Sequence, residues 1–175
     1  VLGLASYPVG VERGFVSREE AVARTLTTLR FFRDSPHGPE PDATGNKGFY
    51  YHFLDMKTGR RVWKSELSTV DTTFLLAGAL TAAQYFTAAV EPEAEIRRLA
   101  EELYLRADWV WAQNGGATVA HGWKPERGFL RYRWDGYNEA LLLYLLGLGS
   151  PTHPLSPESY EAWLSTYAWK RIYGW

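Results

Sequence analysis

Two carboxylates stand apart from the other acids of this chain. Asp71 lies in "SELSTVDTTFLLAGALTAAQYF", residues 65–86, and no ionised side chain follows it until Glu91. Glu139 opens "EALLLYLLGLG", a run that carries no further charge. A pair of carboxyl groups, one protonated and one ionised, can donate and accept a proton across a reacting bond. That chemistry needs neither a metal nor a cofactor. Glu19, Glu95, Glu101 and Glu102 sit instead among Lys and Arg on faces that read as wet. Asp71 also has a structural reading: Ser68 can cap a helix, and Asp71, three residues on, can reach back to the cap's own N–H. Such a cap contributes about 0.5–2 kcal/mol. Asp135 is a third candidate and equally the cap of the run that Glu139 begins. Glu66 is a fourth, and equally a surface loop residue.

Several other chemistries lack their residues. With no cysteine, disulfides and thiolate metal sites are excluded. His52, His121 and His153 show no HxxxH or HExxH spacing, so no metal centre is expected. His153, between two prolines in "SPTHPL", reads as a loop-packing residue. A net charge of −1 offers no footprint for nucleic acid or an anionic membrane surface. The longest apolar run is too short and too interrupted to span a bilayer. No signal peptide is recognisable at the start, although a mature or truncated start has the same look.

The elements that must hold these carboxylates follow from the hydrophobic pattern. Residues 1–16 read as loop, with Pro8, Gly10 and Gly14. Helices are expected over 17–34, where Ser17 and Glu20 make a capping-box pair, then from Ser68, over 91–113, from Glu139, and from Pro157 to the chain end. Residues 35–48 form an irregular loop, "FYYHFLDMKTGRRVW" a short β-hairpin turning at Gly59, and residues 114–134 a second turn-and-strand excursion. The helices from Ser68 and Glu139 are apolar all round and must be covered on every side, whereas the other three are amphipathic. Alternating outer and inner helices describe an all-α toroid or solenoid. Five helices do not close a ring of six pairs, which takes roughly 300 or more residues at ordinary helix and loop lengths. The 175 residues therefore read as the N-terminal part of a single larger barrel, the remainder lying outside this chain. If the two inner helices are parallel neighbours, Asp71 and Glu139 emerge at one mouth.

"GFYYHFLDMKTGRR", "SELSTVDTTFLLAGAL", "EAEIRRLAEELYLRADWVW", "GWKPERGF" and "WDGYNEALLLYLLGLGSPTHPL", in that order, resemble the glucoamylase-like domain. That domain occurs in endo-β-1,2-glucanases of glycoside hydrolase family 144 and is appended to cyclic β-1,2-glucan synthases. The resemblance runs from about residue 10 to the end. It implies an (α/α)6 barrel and inverting hydrolysis of β-linked glucan, most directly β-1,2-glucan. Glu139, within the family-like "GYNEA", becomes the leading catalytic carboxyl. Asp71 comes second, as partner acid or base or as the residue that orients the water, and Asp135 third. Which group is acid and which is base stays open.

Aromatic content is the other unusual feature: eight Trp, eleven Tyr and eight Phe. Sugar rings present apolar C–H faces that stack on such side chains. Trp134, Tyr137, Trp123, Phe49 and Tyr51, in segments leading to the inner helices, are the candidate substrate-binding rings, with core packing as the alternative for each. Lys124, Arg127, Arg131 and Arg133 can hydrogen-bond hydroxyls or be solvated strand-edge charge. The expected partner is an oligo- or polysaccharide, with no nucleic acid and no membrane contact; an apolar face left open by truncation would drive self-association. A polymeric substrate favours a periplasmic or secreted parent protein. The rival reading is a non-catalytic α-helical module that binds a glycan or a protein.

Overall fold

Among the described residues, three helices begin at a short polar side chain that takes up an orphan amide of the first turn. Ser17 Oγ accepts the Glu20 amide at 3.1 Å and starts α2, Arg18–Asp34. Ser68 Oγ accepts the Asp71 amide at 3.2 Å and starts α3, Thr69–Tyr85. Asp108 Oδ1 accepts the Trp111 amide at 2.9 Å and starts α5, Trp109–Gln113. The reciprocal halves of the expected capping pairs are absent. Glu20 bonds Arg24 instead, and the Asp71 carboxylate takes the Ser68 hydroxyl at 2.6 Å, not the cap's N–H.

The computed structural model describes residues 3–173. Among them the remaining helices are α1 (Gly3–Glu12), α4 (Glu91–Arg106), α6 (Leu141–Leu148) and α7 (Pro157–Ser165). Strands β1 (Gly45–Asn46), β2 (Phe49–Tyr51), β3 (Leu67–Ser68), β4 (Gly122–Lys124) and β5 (Gly128–Phe129) form one antiparallel sheet in chain order. The chain is thus helix-rich with a small sheet, in keeping with an α-helical chain carrying short strand excursions, except that the two excursions share one sheet. The sheet joins both excursions: Leu67 and Ser68 pair with Tyr51 and Tyr50 on one side and with Trp123 and Gly122 on the other. The turn at Gly59 is present, but its flanks form an isolated Leu54–Arg61 bridge and not a strand ladder.

Helix α3 is the hub. It packs against α1, α4, α6 and β2, burying Leu75, Leu76, Ala79, Ala82 and Ala83 in the core. Three other expectations change. Residues 3–12 are helical despite Pro8, because Leu4 and Pro8 are buried where α1 meets α2 and α3. That helix ends where a glycine allows it: Gly14 at φ +69, with Phe15 N–H to Gly10 O and Gly14 N–H to Val11 O, makes a Schellman cap. The expected 91–113 helix breaks at Ala107 and Asp108, and Val110 beyond the break is 51% exposed. The last helix stops at Ser165 and not at the chain end; residues 174–175 of that expectation lie outside the described residues.

The break between α4 and α5 is held from outside. Asp108 N–H donates to Lys47 O at 2.9 Å, and Gly48, at φ +82, comes so close that a Cβ there would lie 2.4 Å from Arg106 O. Gly48 N–H in turn donates to His37 Nε2 at 2.8 Å, so the proton of neutral His37 is on Nδ1, which is buried without a partner. Burial, helped by the Arg106 charge, pushes His37 down to about 4. The unfolded imidazole takes its proton near the ordinary 6.5 and the folded one near 4. Neutral His37 therefore stabilises fully above pH 6.5, and that stability is lost as pH falls through 6.5 towards 4. The gap corresponds to about 3 kcal/mol. His37→Gln keeps an acceptor near Nε2 but cannot titrate, so its denaturant midpoints between pH 4 and 7 should fall less steeply than those of the natural protein. Equal slopes would remove His37 from the acid sensitivity.

Candidate active site

Because β3 runs straight into α3, its side-chain alternation fixes what surrounds the helix N-terminus. Leu67 points into the core and is fully buried, so Glu66 and Ser68 face the other way. The neighbouring chain segments bring a histidine to each side. His52 follows β2, its N–H bonded to Glu66 O at 2.9 Å; His121 precedes β4, its carbonyl accepting the Thr69 N–H at 3.2 Å. Gly122 is required beside it, since a Cβ there would lie 2.2 Å from Leu67 O.

These groups line one cleft of about 300 Å³: His52, Glu66, Ser68, Asp71, His121, Trp134 and Glu139, with Val70 and Leu130. Asp71 and Glu139, far apart in sequence, thus border one space. Asp71 also borders an adjoining hollow of about 190 Å³ with His52 and Tyr51. A larger groove of about 470 Å³ between α2 and α4 is remote from both carboxylates.

The polar network is continuous on one wall. His52 Nδ1 lies 2.9 Å from Glu66 Oε1, and His52 Nε2 lies 3.6 Å from Asp71 Oδ2. Burial alone would raise the Glu66 pKa, but the His52 hydrogen bond, a backbone amide and the His52 and Lys124 charges together hold it below the usual carboxylate range. An ionised carboxylate has no proton to give, so Nδ1 of His52 carries the hydrogen of that bond. On the other wall His121 stacks on Trp134 with ring centroids 3.9 Å apart. Burial lowers the His121 pKa, against the opposing pull of Arg133 O and of Asp135 and Glu139, which keeps the imidazole neutral at pH 7. Trp134 Nε1–H donates to Thr69 Oγ1 at 2.9 Å, and that buried hydroxyl is itself directed at the Ala120 and His121 carbonyls. Trp134 is therefore fixed by the first residue of α3.

Glu139 is exposed at the cleft, but not as the first residue of its helix: α6 begins at Leu141, with Ala140 as N-cap. Asn138 provides the turn, its Oδ1 accepting the Ala140 amide at 3.0 Å and its Nδ2 donating to Asp135 O at 2.8 Å. Asp135 is exposed on this turn, outside the cleft lining, and caps nothing. Within this chain α6 is not covered on every side: Leu141, Leu142 and Leu145 are 44%, 37% and 51% exposed.

The candidate aromatics scatter. Trp134 lines the cleft and Tyr51 the adjoining hollow. Trp123 is half-buried against Trp111, at 5.9 Å between centroids, and Tyr137 is exposed beside the edge of Tyr167. Phe49 is completely buried against Trp109 and offers no surface to a ligand, because β2 is covered on both faces. Arg133 is occupied by the Gln113 and Thr118 carbonyls and Lys124 by Lys64 O. Sequence reasoning weighed His52 and His121 only as metal ligands. Their one local signal is position: each flanks a β-prone run that ends or begins beside the cap of α3. Among the described residues no group of three or more His, Asp or Glu is arranged to hold a metal ion, and no helix is long and apolar enough to cross a membrane.

The family model described as "Putative glucoamylase" matches residues 131–174, the stretch carrying Trp134, Asp135 and Glu139. The chain is 30% identical, over 98% of its length, to an exo β-1,2-glucooligosaccharide sophorohydrolase acting at the non-reducing end, from Parabacteroides distasonis. It spans about a quarter of that relative, 24% of its length. The crystal structure of a β-1,2-glucanase from Parabacteroides distasonis superimposes with a TM-score of 0.81 at 30% identity, over 91% of this chain and 23% of that one. An endo-β-1,2-glucanase from Chitinophaga pinensis, solved with sophorotriose and glucose, gives a TM-score of 0.80 at 28% identity, over 99% of this chain and 42% of that one. The resemblance carried by the sequence motifs therefore holds: residues 131–174 match the glucoamylase model, and nearly the whole chain is similar to part of a β-1,2-glucooligosaccharide sophorohydrolase and of β-1,2-glucanases.

Proposed function

We propose that the protein containing this chain hydrolyses β-1,2-linked glucan by proton transfer between two carboxyl groups, with inversion at the anomeric carbon. The observation that carries the reading is the single cleft bordered by Asp71, Glu66 and Glu139, with the Trp134–His121 stack as its apolar wall. In this reading Glu139, the freely exposed carboxyl, is the leading catalytic group. Asp71 is its partner or the group that orients the attacking water, fixed by the Ser68 hydroxyl. Glu66, held ionised, positions His52 and does not donate a proton. An inverting pair leaves room for a water between the carboxyl groups and the sugar. Incubating the full-length protein with linear β-1,2-glucan should release reducing ends, and proton NMR should find the α-anomer first. Binding without cleavage would favour the non-catalytic module; the β-anomer appearing first would overturn inversion alone.

The same reading makes this chain the N-terminal part of an (α/α)6 barrel whose other helices cover α6. Support comes from the exposed leucines of α6 and from the share of each relative that the chain spans. Residues 1–175 made alone should then be inactive and self-associating, since an open apolar face larger than a few hundred Å² is rare on monomers. Light scattering that finds a monodisperse monomer with full activity would overturn the barrel assignment.

A further inference from the structure

Trp63 is 82% exposed and sits at φ 55, followed by Lys64 at φ 51. Two successive non-glycine residues in the left-handed region carry a conformational cost that the surroundings must offset, and such strain gathers at ligand-binding positions. The surroundings are built for it. Lys124 Nζ donates to Lys64 O at 2.9 Å, Arg61 Nε to Ser65 O at 2.6 Å, and Val62 N–H to Phe53 O at 3.2 Å. Core packing does not explain an indole held out into solvent.

The ring does not stand alone. His52, a wall of the cleft, stacks on Phe53 at 4.2 Å and 9°, and Phe53 meets Trp63 at 5.2 Å. Phe53 is itself 44% exposed. The three rings therefore make a continuous row leading from the cleft to the surface. We infer that Phe53 and Trp63 form an outer sugar subsite, a stacking platform for a glucosyl unit of the chain whose neighbouring units occupy the cleft; this rests on the glucan reading above. The occupant is a pyranose because its C–H face matches a flat, exposed indole, while the charged and hydrogen-bonding groups lie inward at His52, Glu66 and Asp71. A platform outside the cleft touches long substrates and misses the shortest.

The test uses the full-length protein. Trp63→Ala should raise KM for long linear β-1,2-glucan about 3–10-fold, the loss expected for one aromatic stacking contact. It should leave kcat and the KM for the shortest cleaved oligosaccharide unchanged, and Trp63→Tyr should restore most of the loss. An unchanged KM on long glucan, or an equal rise on the shortest substrate, would overturn the platform. Gel retardation by the same glucan separates this from the activity itself. Retardation of the natural protein that Trp63→Ala weakens supports the platform even if no hydrolysis is seen, which would sink only the catalytic reading. Absent or equal retardation overturns the platform.

Discussion

Glu139→Gln should lower the turnover of the full-length protein on β-1,2-glucan about 10²–10⁴-fold, the usual loss when a general acid or base is removed. The amide has nearly the shape of the carboxyl but exchanges no proton near neutral pH. Glu139 is exposed on a turn whose conformation Asn138 and the Asp135 carbonyl hold, and among the described residues no hydrogen bond or ion pair of the fold depends on its carboxyl. Surface substitutions of that kind stay within about ±0.5 kcal/mol, so the melting temperature should hardly move. The loss of rate is then chemical and not a matter of unfolding. More than a tenth of natural turnover remaining would take Glu139 out of the mechanism. Asp135→Asn is the informative companion: Asp135 lies one turn away but outside the cleft lining. If its loss matched that of Glu139→Gln, both carboxyls of this turn would belong to the mechanism.

The parts of the fold that sequence made legible are the parts fixed locally. Ser17 and Ser68 start helices because a side chain three residues from an amide captures it, whatever the rest of the chain does. The charge-free run after Asp71 reads as interior, and α3 is indeed packed on by three helices and a strand. The misreadings are non-local. Pro8 argues against a helix, yet tertiary burial of Leu4 and Pro8 overrides propensity at residues 3–12. The 91–113 helix is periodic through Ala107, and what interrupts it is the Lys47 carbonyl, brought to Asp108 from a distant part of the sequence. Strand β2 has enough β-propensity to be seen but not enough information to choose between a hairpin partner and Leu67–Ser68. The site divides in the same way. Asp71 and Glu139 stand out because an isolated charge before an apolar run is a one-dimensional signal. His52 and His121 do not, because only the pairing of β3 with both its neighbours brings them to the same helix terminus.

A buried cation braces the segments around that pairing, and its removal should have the largest effect on stability. The Arg61 side chain is 2% exposed and reaches Ser65 O at 2.6 Å, Pro41 O at 3.3 Å, and both Glu126 oxygens at 2.7 and 3.1 Å, with its guanidinium 4.7 Å over the Tyr51 ring. It thereby ties the 53–65 excursion to the β4–β5 turn across the sheet that carries His52, Glu66 and His121. Arg61→Ala removes the stem and leaves two carbonyls and a carboxylate without their donor. The expected cost is about 3 kcal/mol, in the range for breaking a buried, hydrogen-bonded charge. Glu126→Gln should cost much less, because its carboxyl is at the surface and the amide still accepts one of the two bonds. The Arg61 hydrogen bond, working against burial, pulls Glu126 down to about 2. Its link is therefore intact above the ordinary carboxylate value and weakens only as pH falls towards 2. Urea denaturation of the full-length variants at pH 7 tests the order. A loss for Glu126→Gln as large as that for Arg61→Ala would mean that the ion pair, and not the guanidinium's bonds to the backbone, holds the two excursions together.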